Sequence, residues 1–171
     1  AGARQSRRRD PSAVAGAERV FELLDLKPDW SDAPEATDLP DMRGQVEFDK
    51  VQFHYEADKP VLHDIDFSVA PGSTIALVGH TGSGKSSILN LLAKFYLPIA
   101  GQIRIDGVDL LKIRSDSLHQ QMGMVLQHNF LFNGDVMDNI RLGRLDASDE
   151  EVIASTEALG CRDLFESMKD G

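Results

Sequence analysis

The chain has 171 residues, 42% of them hydrophobic and 27% charged, and a formal net charge of -10. That length holds one domain with a real core plus an appended segment; no apolar run reaches the ~18 residues that cross a bilayer. The acidity argues against nucleic acid as a partner, since neutralising phosphates along an extended site takes a basic surface. Arg4, Arg7, Arg8 and Arg9 are followed by no apolar stretch of the kind a secretory leader needs. Cys161 is the single cysteine, so no internal disulfide forms; a buried thiol in a reducing compartment is the expectation.

In chain order, Asp10-Pro11 reads as an N-cap with proline at the first helical position. Val14, Ala17, Phe21 and Leu24 then share a face, which predicts a helix over about 11–26. Lys27 to Gly44 carries three prolines, Trp30 and several aspartates without periodicity, the composition of a linker. From Gln45 the pattern is strand-like. Val46 and Phe48 give way to Val51, Phe53 and Tyr55, and the change of phase predicts a bulge or turn near Asp49-Lys50. A second strand is expected over Val61–Val69, followed by a turn at Ala70-Pro71-Gly72-Ser73.

Thr74-Ile75-Ala76-Leu77-Val78 is a short continuous apolar run, the pattern of a strand buried on both faces of a parallel sheet. Gly79-His80-Thr81-Gly82-Ser83-Gly84-Lys85-Ser86 comes next and matches G-x-x-x-x-G-K-[ST]. Behind it Ile88, Leu89, Leu91, Leu92 and Phe95 recur at helical spacing. A glycine-rich loop between a strand and a helix is a phosphate cradle. Its backbone N–H groups curl around the anion, and the helix dipole points roughly half a positive charge at it. Lys85 is expected to neutralise β- and γ-phosphate oxygens, and the Ser86 hydroxyl to hold Mg²⁺. Ser87 completes the expected binding set.

Beyond the loop, Gln102–Gly107 predicts a strand ending in an Asp-Gly turn, and Met122–Leu126 another buried strand. Ser148 and Glu151 form a capping box that opens a helix over about 149–159, with Gly160 at its C′ position. From Gly134 to Gly171 ten acidic residues face four Lys or Arg, read as a solvated face.

Three further stretches in register with the loop resemble the nucleotide-binding domain of ABC exporters. Val46–Tyr55 with Val61–Val69 looks like that family's opening strands, and Gly101–Asp109 like the strand after its phosphate-loop helix. Met124-Val125-Leu126-Gln127-His128-Asn129-Phe130-Leu131-Phe132 is similar to its Q-loop, with His128-Asn129 in place of an acidic-proline pair. Gly16–Asp25 looks like the segment that follows an exporter's last membrane helix.

The resemblance implies an α/β fold: a P-loop NTPase (RecA-like) core, an antiparallel β subdomain at its N-terminal side, and the start of a helical subdomain. It implies a truncated chain, with a helical extension over 1–26, a linker over 27–44 and a partial nucleotide-binding domain over 45–171. The ligands it implies are ATP and Mg²⁺. Tyr55 stacks the adenine, the residues from Gly79 to Ser87 bind phosphate, and Ser86 with Gln127 contacts the metal. The Leu-Ser-Gly-Gly-Gln signature, the Walker B carboxylates, the D-loop and the switch histidine are expected downstream of residue 171, so the stretch alone is expected to be inactive. Implied partners are a second cassette, identical or different, and a transmembrane domain of the same polypeptide, at the cytoplasmic face of the cell membrane. A soluble P-loop kinase or ATPase and a non-catalytic regulatory cassette stand as alternatives.

Overall fold

A computed structural model describes residues 19–168. Strands Val46–Glu56 (β1), Lys59–Val69 (β2), Ala100–Ile105 (β3) and Val108–Asp109 (β4) form one antiparallel sheet in the order β2-β1-β3-β4. The helices are residues 19–24 (α1), Lys85–Leu92 (α2), Ser115–His119 (α3), Val136–Arg141 (α4), Asp149–Ala158 (α5) and Arg162–Glu166 (α6). The chain divides into two compact units, 1–123 and 124–171. The start of the helix expected over 11–26, including its Asp10-Pro11 cap, lies outside the described residues. Within them Phe21, Leu23 and Leu24 are exposed.

The sheet is built on displaced parity. Val46 and Phe48 occupy even positions of β1, whereas the buried Val51 and Phe53 occupy odd ones. The register slips between Phe48 and Val51, where Lys50 takes φ 49°. One extra residue there returns the apolar side chains to the same face, as the phase change predicts. β2 repeats the device: Leu62 and Ile65 differ in parity, and Asp64 between them sits at φ 45°. Phe48 then stacks on its cross-strand partner Phe67, with centroids 4.7 Å apart. Gly101 of β3 runs against the bulge so closely that a Cβ would stand 2.5 Å from the Asp49 carbonyl oxygen. The expected Asp-Gly turn joins β3 to β4, with Asp106 and Gly107 both at positive φ, 51° and 81°.

Leu62, Ile103, Ile105, Leu110, Ile113, Leu118 and Leu91 of α2 join this core. Each such fully buried side chain contributes roughly 1.5–3 kcal/mol. In the second unit the capping box is present, Ser148 N–H donating to Glu151 and Glu151 N–H to Ser148 Oγ. Gly160 follows α5 at φ 67°. Cys161 is half-buried rather than enclosed.

Two expected strands do not form. Residues 74–78 and 122–126 run without a ladder, and Ile75, Val78 and Val125 are exposed. A parallel strand is held only by neighbours on its flanks, and none pairs with these runs among the described residues. Their apolar composition marks what such a strand requires and cannot supply the partner.

The stretch over 27–44 has no periodicity, yet it is docked on the first unit. Thr37 makes a parallel bridge with Ile113, Leu39 is buried, and Met42 N–H donates to Gln121 Oε1 at 2.7 Å. Asp106 accepts the N–H groups of Arg43, Gly44 and Gln45. At the other end of the stretch, Asp32 receives Ser115 N–H and Oγ, capping α3, and pairs with Lys94 at 2.7 Å. Lys94 follows α2 at φ 56°, is 2% exposed, and also donates to the Ile113 carbonyl. Burial pushes the Asp32 carboxyl up, but hydrogen bonds from Lys94 and Ser115 and the Lys94 charge outweigh it and hold the pKa at about 2.

Gly101→Ala is expected to destabilise the chain by at least about 2 kcal/mol in urea unfolding, because neither the positive φ nor the bulge carbonyls can accommodate a methyl. The depressed Asp32 pKa makes its contribution complete above about pH 4, the unfolded value, and lost as pH falls toward 2. It is expected to supply up to about 2 kcal/mol, and Asp32→Asn should flatten unfolding free energy against pH in that window.

Candidate functional site

The glycine-rich loop leads into α2, whose N-cap is Gly84 at φ 86°, ψ 5°. That left-handed conformation suits glycine, and a Cβ there would lie 2.5 Å from the terminal Cδ2 of Leu62 and 3.4 Å from the Val61 carbonyl oxygen. Leu62 and Val61 of β2 therefore stand close to the start of α2. No side chain caps the helix, and its first turn carries no acidic residue. The first N–H groups and the positive end of the dipole are thus left to an external acceptor. Asp135 and Ser148, by contrast, cap α4 and α5 with their own side chains.

Lys85 bends back across the loop. Its Nζ donates to the carbonyls of Gly79 and His80, both at 2.8 Å, and to Ser83 Oγ at 3.3 Å. The ammonium thereby stands among the glycine-rich residues, where a phosphate oxygen could exchange with a carbonyl. Ser83 N–H closes the turn on the His80 carbonyl at 3.2 Å. His80 Nδ1 lies 2.7 Å from the Thr81 carbonyl, which can only accept, so that nitrogen carries the proton and the ring braces the loop backbone. Ser86 is exposed in the first turn of α2, and Ser87 is buried.

Tyr55, near the end of β1, reaches the same helix. Its hydroxyl is 3.1 Å from Ser87 Oγ and accepts from Asn90 Nδ2 at 3.2 Å. Tyr96 meets its ring edge-on, with centroids 4.9 Å apart. The residue remains 47% exposed, which leaves aromatic surface open beside the loop. The first unit thus gathers Tyr55 and the whole run from Gly79 to Ser87. Gln127 belongs to the second unit, where it is exposed in a bend.

Asn90 and Tyr96 are the contacts that the sequence reading missed. The spacing of Ser87 and Asn90, three apart on one helix face, was the available signal.

Among the described residues no three His, Cys, Asp or Glu side chains gather as a metal site. Mg²⁺ keeps its waters and takes few protein oxygens beside substrate phosphates. The open cradle, the ammonium within it and the exposed Ser86 hydroxyl fit a metal–triphosphate.

Comparison with known proteins agrees with this geometry. A family model described as ABC transporter matches residues 62–169, more than half of the chain. The uncharacterized ABC transporter ATP-binding protein YknV of Bacillus subtilis is 42% identical over 158 residues, 92% of this chain and 26% of that protein. The fatty acid ABC transporter ATP-binding/permease protein of Mycobacterium bovis is 44% identical over 147 residues, 86% of this chain and 23% of its own length. A bacterial Atm1-family ABC exporter, solved with ATP bound, superposes with a TM-score of 0.81 at 38% identity, covering 94% of this chain and 28% of that one. The chain spans about a quarter of the length of the curated relatives it matches. By its matched family model and the cradle just described, the chain belongs to the ABC transporter family.

Proposed function

We propose that the chain docks MgATP as the nucleotide-binding part of an ABC exporter that couples ATP hydrolysis to export across a membrane. The observation that carries the reading is Lys85 held inside an uncapped loop–helix junction. Residues from Gly79 to Ser87 bind the phosphates, the loop and helix amides supplying hydrogen bonds and Lys85 the balancing charge. Ser86 would hold Mg²⁺, which would supply further neutralisation of phosphate charge. Tyr55 stacks the adenine, a contact typically worth about 1–3 kcal/mol. Gln127 has a neutral amide that orients and contacts; it cannot act as a general base.

Residues 27–44 act as the joining stretch that leads into the nucleotide-binding portion, which begins at residue 45. The export reading draws on the matched relatives, among them an ATP-binding/permease protein and an exporter solved with ATP bound. It entails a transmembrane domain, a second cassette and the cytoplasmic membrane face. Among the described residues no helix is long and apolar enough to cross a membrane.

Hydrolysis needs a group that polarises water and donors that meet the γ-phosphate in the transition state. The sequence has no Leu-Ser-Gly-Gly-Gln, and the binding residues named here include no such carboxylate. The 171 residues therefore bind without turning over.

Lys85→Ala is expected to lower MgATP affinity by at least about a hundredfold, since phosphate charge loses its charged hydrogen-bond donor. Calorimetry giving unchanged affinity would refute the assignment. In MgATP the 171-residue chain is expected to release no phosphate above the Lys85→Ala background. Release that scales with chain concentration would show that a complete hydrolytic site lies within it.

A further inference from the structure

Tyr55 is held at both ends. At the hydroxyl, Asn90 Nδ2 donates at 3.2 Å, so the tyrosine's own proton is available to Ser87 Oγ at 3.1 Å. At the ring, Phe53 and Tyr96 stand perpendicular to it, with centroids 4.7 and 4.9 Å away and interplanar angles of 83° and 90°. Phe53 is a core residue at 4% exposure, but Tyr96 is 43% exposed and Asn90 is only half-buried. Tyr96 also meets Phe53 edge-on, with centroids 5.7 Å apart, but the core encloses neither Tyr96 nor Asn90, and the neighbour they share is Tyr55. Ser87 and Asn90 lie on α2 and Tyr96 four residues beyond its end, so the hydroxyl's partners and one ring neighbour belong to the helix that opens at the phosphate loop or to the turn after it.

We propose that Tyr96 and Asn90 are positioning residues for nucleotide binding: they hold the Tyr55 ring in its base-stacking orientation and register it against α2. The inference rests on the reading that Tyr55 stacks the base. A tyrosine free to rotate must be ordered when ligand arrives, and that ordering subtracts from affinity; a ring already fixed avoids it. One rigid helix then sets the distance between base platform and phosphate cradle, which selects a purine nucleoside triphosphate over a bare polyphosphate.

The test compares MgATP with magnesium tripolyphosphate, which lacks the base, by calorimetry on the full-length polypeptide. Tyr96→Ala and Asn90→Ala are each expected to weaken MgATP about three- to tenfold, as loss of one aromatic pair or hydrogen bond implies. Tripolyphosphate affinity should stay unchanged, which also reports an intact loop. Tyr96→Phe, which keeps the ring, should bind MgATP like the parent. Equal losses for both ligands, or no loss for either alanine variant while Tyr55→Ala selectively weakens MgATP, would overturn the positioning role alone. If Tyr55→Ala leaves the ratio of the two affinities unchanged, the base-stacking reading falls, and this inference with it.

Discussion

The left-handed turn at Gly84, which opens α2 beside Leu62 and Val61 of β2, is the constraint on which the site depends. It brings the start of α2, and the loop that leads into it, beside β2 at the edge of an antiparallel sheet. The far end of the helix is fixed as firmly. Lys94 is buried there in a left-handed conformation that costs about 1–2 kcal/mol on its own, offset by its bonds to Asp32 and Ile113. His119 Nε2 adds a bond to the Ala93 carbonyl at 2.8 Å. A helix held at both ends can present an uncapped N-terminus without fraying, because the missing cap energy is supplied by tertiary contacts rather than by the helix itself.

This arrangement divides labour between two kinds of structure. Bulges in β1 and β2 keep one face of the sheet continuously apolar, and that face supports the helix. Groups suited to a nucleotide sit where the support ends, at Gly84 and at the half-open Tyr55. Binding needs only these parts.

What could be read from the sequence was local. The bulge at Lys50 was legible because parity changes within six residues, the α5 cap because Ser148 and Glu151 satisfy each other, and the phosphate loop because glycines, lysine and hydroxyls fall at fixed spacing. What could not be read depends on partners remote in the chain. The runs over 74–78 and 122–126 have strand composition, yet composition cannot provide a neighbouring ladder. The stretch from Trp30 to Gln45 has no period because its backbone is satisfied one group at a time, by Ser117, Gln121 and Asp106. Tyr55's neighbours Asn90 and Tyr96 are 35 and 41 residues away in sequence, and only the fold brings them to it.

Trp30 is the chain's one tryptophan, and it sits at the joint between the docked stretch and the end of α2. Its indole N–H points to the Phe95 carbonyl at 3.4 Å, and the Lys94 ammonium lies 5.5 Å from its ring centre. A nearby cation and a hydrogen bond both shift indole emission, so the polypeptide carries a native fluorophore at the seam where motion in the preceding segment would meet the end of α2. Loosening of that seam would register as a change in colour with no label attached.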